Sequence, residues 1–179
     1  VYVFKDYQKQ RIMTFVNPLS DVQGAGYNAR QSVVAVGSGG ILGKGIGYGT
    51  QSRLNYLPEY ETDFIFAAFA EEWGFVGVIF IFTSFGVLIV RILKNASHAE
   101  TNFETLFCVG LAVMFMSHFI INVGMNMAIM PVTGIPLPFV SYGGSHILSS
   151  FIGLGILMGM RNYIRPAHRD TMKNEFIGI

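Results

Sequence analysis

Three carboxylates stand immediately before a long apolar segment of the chain, in the stretch LPEYETDFIF. They are Glu59, Glu61 and Asp63, and the apolar segment continues with one interruption to residue 90. Removing a carboxylate from water costs several kcal/mol unless it is paired or used in chemistry, so this position needs an explanation. Taken alone, the pattern favours helix capping, with Thr62 or Asp63 capping a helix that starts at the next residues.

A second candidate for binding chemistry is the glycine-rich stretch GSGGILGKGIGYGTQS, residues 37–52, which holds seven glycines. Glycine lets backbone N–H groups approach a ligand closely, and Lys44 can offer a positive charge to phosphate. Two nucleotide motifs fail here. GAGYNA at 24–29 follows a turn-like stretch where a strand is required, and GKG at 43–45 lacks the Ser or Thr of a P-loop. A flexible outer loop remains the alternative interpretation.

The composition excludes several classes of protein. Hydrophobic residues make up 51% and charged residues 13%, with a mean hydropathy of +0.46, which is the balance of a membrane protein. The net charge of +1 argues against a nucleic-acid binder. Cys108 has no second cysteine, so neither a disulfide framework nor a thiolate metal site is available. The chain begins at Val1 without an initiator methionine, and we expect it to be a piece of a longer protein.

Three segments have the length and composition of membrane-spanning helices, which need about 20 residues each. They cover about residues 73–93, 103–122 and 145–164. Trp73 suits an interfacial aromatic belt, and Arg91 can snorkel at the other end of the first segment. Small residues in the third segment permit close helix contact. The predicted fold class is therefore an all-α integral membrane protein, with buried core helices of a soluble protein as the alternative.

Basic residues in the short loops predict the orientation of these helices. Arg and Lys occur in the loop 91–102 and in the tail 165–179, whereas residues 123–144 contain no charge. By the positive-inside rule, the first two face the cytoplasm. We therefore expect residues 1–63 to be the end of a preceding helix followed by a long extracellular loop with short interfacial helices. The transmembrane helices then fall within residues 64–179.

The extracellular loop 123–144 interrupts helical structure with three prolines and several glycines. Irregular backbone at membrane depth is stable only where it is buried in protein or lines a cavity. The loop therefore predicts a pocket, with Ser141 and Tyr142 in its wall. Asn122 and Asn126 are four residues apart and share a helix face if the second helix continues that far.

Further polar residues lie near the predicted spans. Glu71 and Glu72 precede Trp73 at the outer interface, where Glu72 can pair with a basic residue from the rest of a longer protein. His118 lies inside one span and His146 at the start of another. An intramembrane histidine is a functional candidate, but interhelical hydrogen bonding is the favoured explanation for both.

These motifs closely resemble the signature of the SEDS proteins, the RodA/FtsW/SpoVE group of bacterial cell-wall proteins. The signature loop is NVGMNMAIMPVTGIPLPFVSYGGS, and the resemblance extends over DYQKQRIMTFVNP, GAGYNARQS, AVGSGGILGKG, GTQ and LPEYETDFIFAAFAEEWG. Two departures favour a RodA-like protein. Asn55 stands where some FtsW-like members carry an acid, and Thr133 where some carry a lysine.

The resemblance implies a fold of about ten transmembrane helices, of which this chain is the C-terminal half, in the bacterial cytoplasmic membrane with an outward-facing site. It implies polymerisation of lipid II, the undecaprenyl-pyrophosphate-linked disaccharide peptide, together with a class B penicillin-binding protein, for cell elongation or division. Such inverting glycosyl transfer needs a carboxylate that accepts the proton of the attacking hydroxyl. It also needs positive charge, helix N-termini or a metal ion beside the leaving pyrophosphate.

The resemblance marks Asp63, the aspartate of TDFIF, as the catalytic general base. The expected substrate contacts are Lys44, Gln51, Arg53, Asn122, Ser141 and Tyr142. A divalent cation such as Mg²⁺ held by Glu59 and Glu61 is an alternative to simple solvation of these carboxylates. Two rival functions stay open, a lipid II flippase and a non-catalytic scaffold for the penicillin-binding protein. Carboxylates at the outer surface, rather than at the bilayer centre, favour the polymerase over the flippase.

Overall fold

The computed structural model describes residues 13–15, 24–50 and 60–175, with the backbone alone over 161–175. Its ordered elements are α1 (Ala25–Ser38), α2 (Ile65–Ser97), α3 (Asn102–Asn126) and α4 (Gly144–Glu175). Residues 13–15 are also helical. All regular secondary structure in these ranges is helical, which confirms the predicted all-α class.

Helices α2 and α3 are long and apolar enough to cross a membrane. They contain 33 and 25 residues respectively, and each includes a strongly hydrophobic stretch of 18 residues. They contain the first two predicted spans. Helix α4 contains the third.

Helix α2 is interrupted at Gly74, where φ is 65° and ψ is −163°. This backbone conformation is open to glycine and strongly disfavoured for other residues. The interruption separates a short N-terminal helical segment, residues 65–73, from the longer apolar segment that follows. The first span was predicted to start at residue 73, which is where the break lies.

Helices α2 and α3 run antiparallel through a short connection at residues 98–101. Thr101 caps the N-terminus of α3, where its Oγ1 accepts a hydrogen bond of 3.2 Å from the Glu104 N–H. The start of α2 and the end of α3 consequently lie at the same end of the molecule. The proline- and glycine-rich loop, residues 127–143, follows α3 at that end.

Groups of buried apolar side chains hold the helices together. One lies between α2, α3 and α4 and includes Ile92, Phe115 and Leu157. A second joins α2 to α3 and the 127–143 loop, where Leu137 is completely buried. Many other apolar side chains of α2 and α3 are exposed, as expected for helices that face lipid or further helices.

Helix α1 lies within the segment that we expected to be a long loop with short helices. It starts after Gly24, whose carbonyl accepts a hydrogen bond of 3.2 Å from the Asn28 N–H, so the GAGYNA motif opens a helix. Glycines near both ends lower its intrinsic helix propensity. Burial of Ala35 against Phe64 and Ala67 at the start of α2 offsets that cost.

Candidate active site around Asp63

Asp63 lies two residues before α2 and is half-buried. Its carboxylate faces Gly134 in the 127–143 loop, because a β-carbon added at Gly134 would come within 3.3 Å of Asp63 Oδ2. Gly134 has a φ of 74°, which favours glycine at this position. The carboxylate that the sequence singled out therefore sits against the loop that the sequence predicted to line a pocket.

Three consecutive carbonyl groups leading to α2 are held by hydrogen bonds from other elements. The Glu61 carbonyl accepts from the Tyr142 N–H at 2.8 Å, and the Thr62 carbonyl accepts from Ser141 Oγ at 2.7 Å. The Asp63 carbonyl accepts from two side-chain amides of α3, as described next. Each such bond contributes about 1 kcal/mol net, and a buried partner left unsatisfied costs about 1–3 kcal/mol.

Asn122 and Asn126 form a buried amide pair at the end of α3, and neither is exposed at all. Asn122 Nδ2 donates to the Asp63 carbonyl at 3.1 Å and to the Ile135 carbonyl at 2.8 Å. Asn126 Nδ2 donates to the same Asp63 carbonyl at 3.0 Å and to the Asn122 carbonyl at 2.8 Å. The pair joins the start of α2, the end of α3 and the 127–143 loop.

Asn126 also satisfies the N-terminus of α2. Its Oδ1 accepts a hydrogen bond of 3.1 Å from the Ala67 N–H, a first-turn donor that also bonds to the Phe64 carbonyl at 3.1 Å. Phe64 occupies the N-cap position and contributes no side-chain cap. A capping group for α2 therefore comes from α3, a source that the local sequence pattern did not indicate.

Ser141 ties the 127–143 loop back on itself as well as to the Asp63 segment. Its Oγ accepts from the Leu137 N–H at 2.7 Å and donates to the Thr62 carbonyl, and the side chain is 1% exposed. Tyr142, in contrast, is 74% exposed. Of these two predicted wall residues, Ser141 is part of the buried framework and Tyr142 presents its ring to the outside.

The glycine-rich stretch packs its backbone directly on the break in α2. Lys44 N–H and Gly45 N–H donate to the carbonyls of Glu71 and Glu72, each at 3.0 Å. In return, the carbonyls of residues 40 and 41 accept from the N–H groups of residues 75 and 76 at 2.9 and 3.2 Å. A β-carbon at Gly43 would overlap the Glu72 carbonyl. These glycines allow residues 39–45 to pack their backbone on α2, and the N–H groups of residues 43–45 donate to carbonyls within the protein rather than facing a ligand.

Glu71 and Lys44 form an ion pair beneath this contact. Lys44 Nζ lies 2.7 Å from Glu71 Oε1, with side-chain exposures of 30% and 0%. The same carboxylate oxygen accepts from the Thr50 N–H at 2.8 Å and from Thr50 Oγ1 at 2.9 Å. Sequence analysis missed Glu71 as a partner of Lys44 because the two residues are 27 positions apart.

Of the remaining predicted site residues, Gln51, Arg53 and Glu59 lie outside the described residues. Glu61 is exposed, and its Oε1 accepts a hydrogen bond of 3.1 Å from the Tyr60 hydroxyl. That bond and the charge of Glu61 raise the pKa of the Tyr60 phenol above its ordinary value.

Among the described residues, no three His, Cys, Asp or Glu side chains come close enough together to hold a metal ion. Glu59, one of the two carboxylates predicted as Mg²⁺ ligands, lies outside these residues.

The two histidines form the interhelical contact that the sequence predicted. His118 Nδ1 on α3 lies 3.2 Å from His146 Nε2 on α4, and the stacked rings have centroids 5.3 Å apart. The hydrogen-bonding explanation is confirmed.

An apolar groove of about 450 Å³ runs along α2 below the site. Its lining begins at Phe66, three residues after Asp63, and reaches Thr83 beyond the Gly74 break. Val36 of α1 and Met127 complete its sides. The groove can accommodate a hydrocarbon chain that extends from the Asp63 region towards the bilayer interior.

Comparison with known proteins shows the family to which this chain belongs. Residues 1–165 match the FtsW/RodA/SpoVE family of cell cycle proteins. The peptidoglycan glycosyltransferase MrdB of Escherichia coli K12 is 45% identical over 162 residues, which cover 90% of this chain and 44% of that protein. The peptidoglycan glycosyltransferase RodA of Treponema pallidum is 44% identical over 160 residues, covering 89% of this chain and 37% of that protein. The chain thus spans less than half the length of these curated relatives.

Two solved structures are similar as well. One is a peptidoglycan synthase complex, described for its coordination of polymerization and crosslinking. It aligns with a TM-score of 0.65 and 32% identity over 86% of this chain and 41% of that chain. The other is an aspartate-to-alanine mutant of the rod shape determining protein RodA of Thermus thermophilus, with a TM-score of 0.53 and 26% identity over 87% of this chain and 57% of that chain. The chain therefore belongs to the SEDS family of membrane proteins, the FtsW/RodA/SpoVE group, as its motifs predicted.

Proposed function

We propose that the protein to which this chain belongs polymerises lipid II into glycan strands by inverting glycosyl transfer, with Asp63 as the general base. The observation that carries the proposal is the placement of the Asp63 carboxylate, half-buried against Gly134 of the 127–143 loop, in a chain whose relatives are peptidoglycan glycosyltransferases. We further propose that this end faces outward from the bacterial cytoplasmic membrane.

In the proposed reaction, an acceptor sugar hydroxyl attacks the anomeric carbon of the donor. As the new C–O bond forms, Asp63 takes the hydroxyl proton, and the bond from the anomeric carbon to the lipid pyrophosphate breaks with inversion. The pyrophosphate carries away the electron pair of the broken bond.

Charge on the leaving pyrophosphate needs cationic or polar partners. We assign this role to Lys44, Arg53 and Gln51. An ammonium has three donors. Among the described residues, Glu71 and Thr50 accept from two of those of Lys44, and we propose that a phosphate oxygen of the substrate accepts from the third. The apolar groove that starts at Phe66 has the chemistry to hold the polyprenyl chain of the lipid. The exposed Tyr142 ring is a candidate contact for a sugar, and a class B penicillin-binding protein is the proposed partner.

The position of the charged residues favours polymerisation over lipid flipping. Residues 75–90 and 105–126 contain no Asp, Glu, Lys or Arg, and the one histidine among them, His118, contacts His146 of α4. The acids of α2 therefore lie at its outer end. A transporter that moves a pyrophosphate across the bilayer is expected to carry ionisable groups near the middle of its helices.

The test uses the full-length protein reconstituted with its penicillin-binding partner and purified lipid II. Asp63→Asn keeps the shape of the side chain and removes the base, and we expect it to abolish glycan polymerisation. Glu61→Gln, an exposed neighbour in the same segment, is the matched control and should polymerise at nearly the normal rate. Polymerisation by Asp63→Asn near the wild-type rate contradicts the general-base role, and lipid flipping without polymerisation in the same vesicles contradicts the proposed activity.

A further inference from the structure

Asn126 occupies a position that the proposed reaction does not by itself explain. It is completely buried, it lies at the last residue of α3, and its side-chain amide uses both its oxygen and its nitrogen. The oxygen accepts from Ala67 N–H at 3.1 Å, and the nitrogen donates to the Asp63 carbonyl at 3.0 Å. One amide therefore contacts the backbone on both sides of the α2 N-terminus.

Asn122 reinforces this contact from one helical turn earlier. Its Nδ2 donates to the same Asp63 carbonyl at 3.1 Å, and its Oδ1 accepts from Asn126 Nδ2 at 3.3 Å. Two donors on one carbonyl oxygen fix the plane of the peptide that follows Asp63. With Thr62 held by Ser141 as well, the backbone that carries the Asp63 side chain has little freedom to rotate.

We propose that the Asn122–Asn126 amide pair positions the general base, because its hydrogen bonds to the Asp63 carbonyl hold the Asp63 carboxylate against Gly134 of the 127–143 loop. This inference rests on the proposed function. It gives Asn122 a positioning role rather than direct contact with the substrate, in keeping with its complete burial. It also adds Asn126, which sequence analysis noted only as a neighbour on the same helix face.

The chain offers a contact that separates positioning from ordinary packing. Ser32 Oγ of α1 donates to the Asn126 main-chain carbonyl at 2.9 Å, and Ser32 is fully buried. This bond joins two helices at the same residue without reaching Asp63. Loss of a buried hydrogen bond alone is thus reproduced by Ser32→Ala, whereas loss of the Asp63 contact is not.

The test variant is Asn126→Leu in the full-length protein reconstituted with lipid II. Leucine is close to asparagine in size and has no group that can donate to the Asp63 carbonyl, while the Ala67 N–H keeps its bond to the Phe64 carbonyl. Because a misplaced catalytic group slows the chemical step more than it weakens binding, we expect kcat to fall at least 10-fold with KM for lipid II within about twofold. Ser32→Ala should keep kcat within about twofold of wild type.

A second variant, Asn122→Leu, covers the case in which Asn126→Leu does not fold, and thermal unfolding of each purified protein establishes which variants are folded. A folded amide variant with wild-type kcat, or one whose kcat and KM change no more than those of Ser32→Ala, overturns the inference. If neither amide variant folds, the pair is a folding element and the positioning role is discarded. Should Asp63→Asn itself be fully active, the proposed function fails. If Asp63→Asn is inactive while the Asn122 and Asn126 variants are fully active, the positioning role is wrong and the proposed function is unaffected.

Discussion

Glu71 is the most deeply buried acid among the described residues, and it binds two parts of the glycine-rich stretch at once. Its Oε1 takes the Lys44 ammonium and both donors of Thr50. A buried carboxylate without its cation is costly, because the interior cannot replace the lost interaction with solvent. The ion pair therefore holds residues 44–50 on α2 near the candidate site.

Removing the cation tests that role. We expect Lys44→Met to lower the free energy of unfolding by about 1–3 kcal/mol, below the usual cost of breaking a fully buried pair because Lys44 is 30% exposed. Thermal unfolding of the purified protein measures the change. Lys94→Met, an exposed lysine on α2, is the control and should leave the unfolding temperature nearly unchanged. Adding Glu71→Gln to Lys44→Met should recover part of the lost stability. Equal stability of Lys44→Met and wild type would show that the ion pair does not hold residues 44–50 on α2.

Ser141 makes a prediction of the same kind for the 127–143 loop. Ser141→Ala removes the donor to the Thr62 carbonyl and the acceptor for the Leu137 N–H, and we expect a loss of about 1–3 kcal/mol in unfolding free energy. Ser149→Ala is the matched control, because Ser149 is exposed and its hydroxyl donates only to His146 within its own helix. Similar unfolding temperatures for the two variants would show that the Ser141 bonds do not stabilise the loop.

The break in α2 depends on the absence of a side chain at one position. Gly74 combines a φ of 65° with a backbone so close to Gly43 N and the Ile41 carbonyl that a β-carbon would overlap both. Its partner segment contributes glycines for the same reason, which explains why the glycine-rich stretch faces a glycine in the apolar helix. The two segments must be considered together to account for either composition.

Gly74→Ala should therefore destabilise the protein by more than about 2 kcal/mol, since strain and overlap act together. Gly86→Ala lies in the same helix, where a β-carbon would meet nothing within 4 Å, and should be neutral or slightly stabilising. Unfolding temperatures of the two variants decide the matter. A Gly74→Ala protein as stable as Gly86→Ala would mean that the glycine-rich stretch does not pack on α2 in the folded protein.

The antiparallel arrangement of α2 and α3 places the Asp63 segment, the glycine-rich stretch and the 127–143 loop at one end of the molecule. The connection at residues 98–101 lies at the other end. The charge distribution of the loops predicts that the Asp63 end faces outward. An outward-facing site would have access to substrate only from outside the membrane.

Cysteine labelling of the full-length protein, freed of other accessible cysteines, tests this orientation. Thr133 and His98 are both exposed and lie at opposite ends of the spans. We expect Thr133→Cys to react with a membrane-impermeant maleimide in intact cells, and His98→Cys to react only after permeabilisation. Cys108 is buried and can be replaced by alanine in both variants. The reverse labelling pattern would put Asp63 in the cytoplasm and remove the proposed chemistry.

The sequence by itself determined the family, the helical class and the positions of α2 and α3. Apolar runs of this length have few alternatives to a helix, because a membrane interior cannot satisfy unpaired backbone groups. It also drew attention to Asp63 and to the 127–143 loop, since acids and prolines beside apolar runs are costly without a reason.

Only the tertiary structure decided which polar groups meet. Asp63 receives hydrogen bonds from side chains 59 and 63 positions away, and Lys44 finds Glu71 at a separation of 27. No local periodicity encodes such pairs, because they arise when helices already specified by their own hydrophobic patterns come together and must satisfy every buried donor and acceptor at the contact. For this reason the role of Asn126, the cap of α2 and the packing of the glycine-rich stretch on α2 could be identified only from the structure.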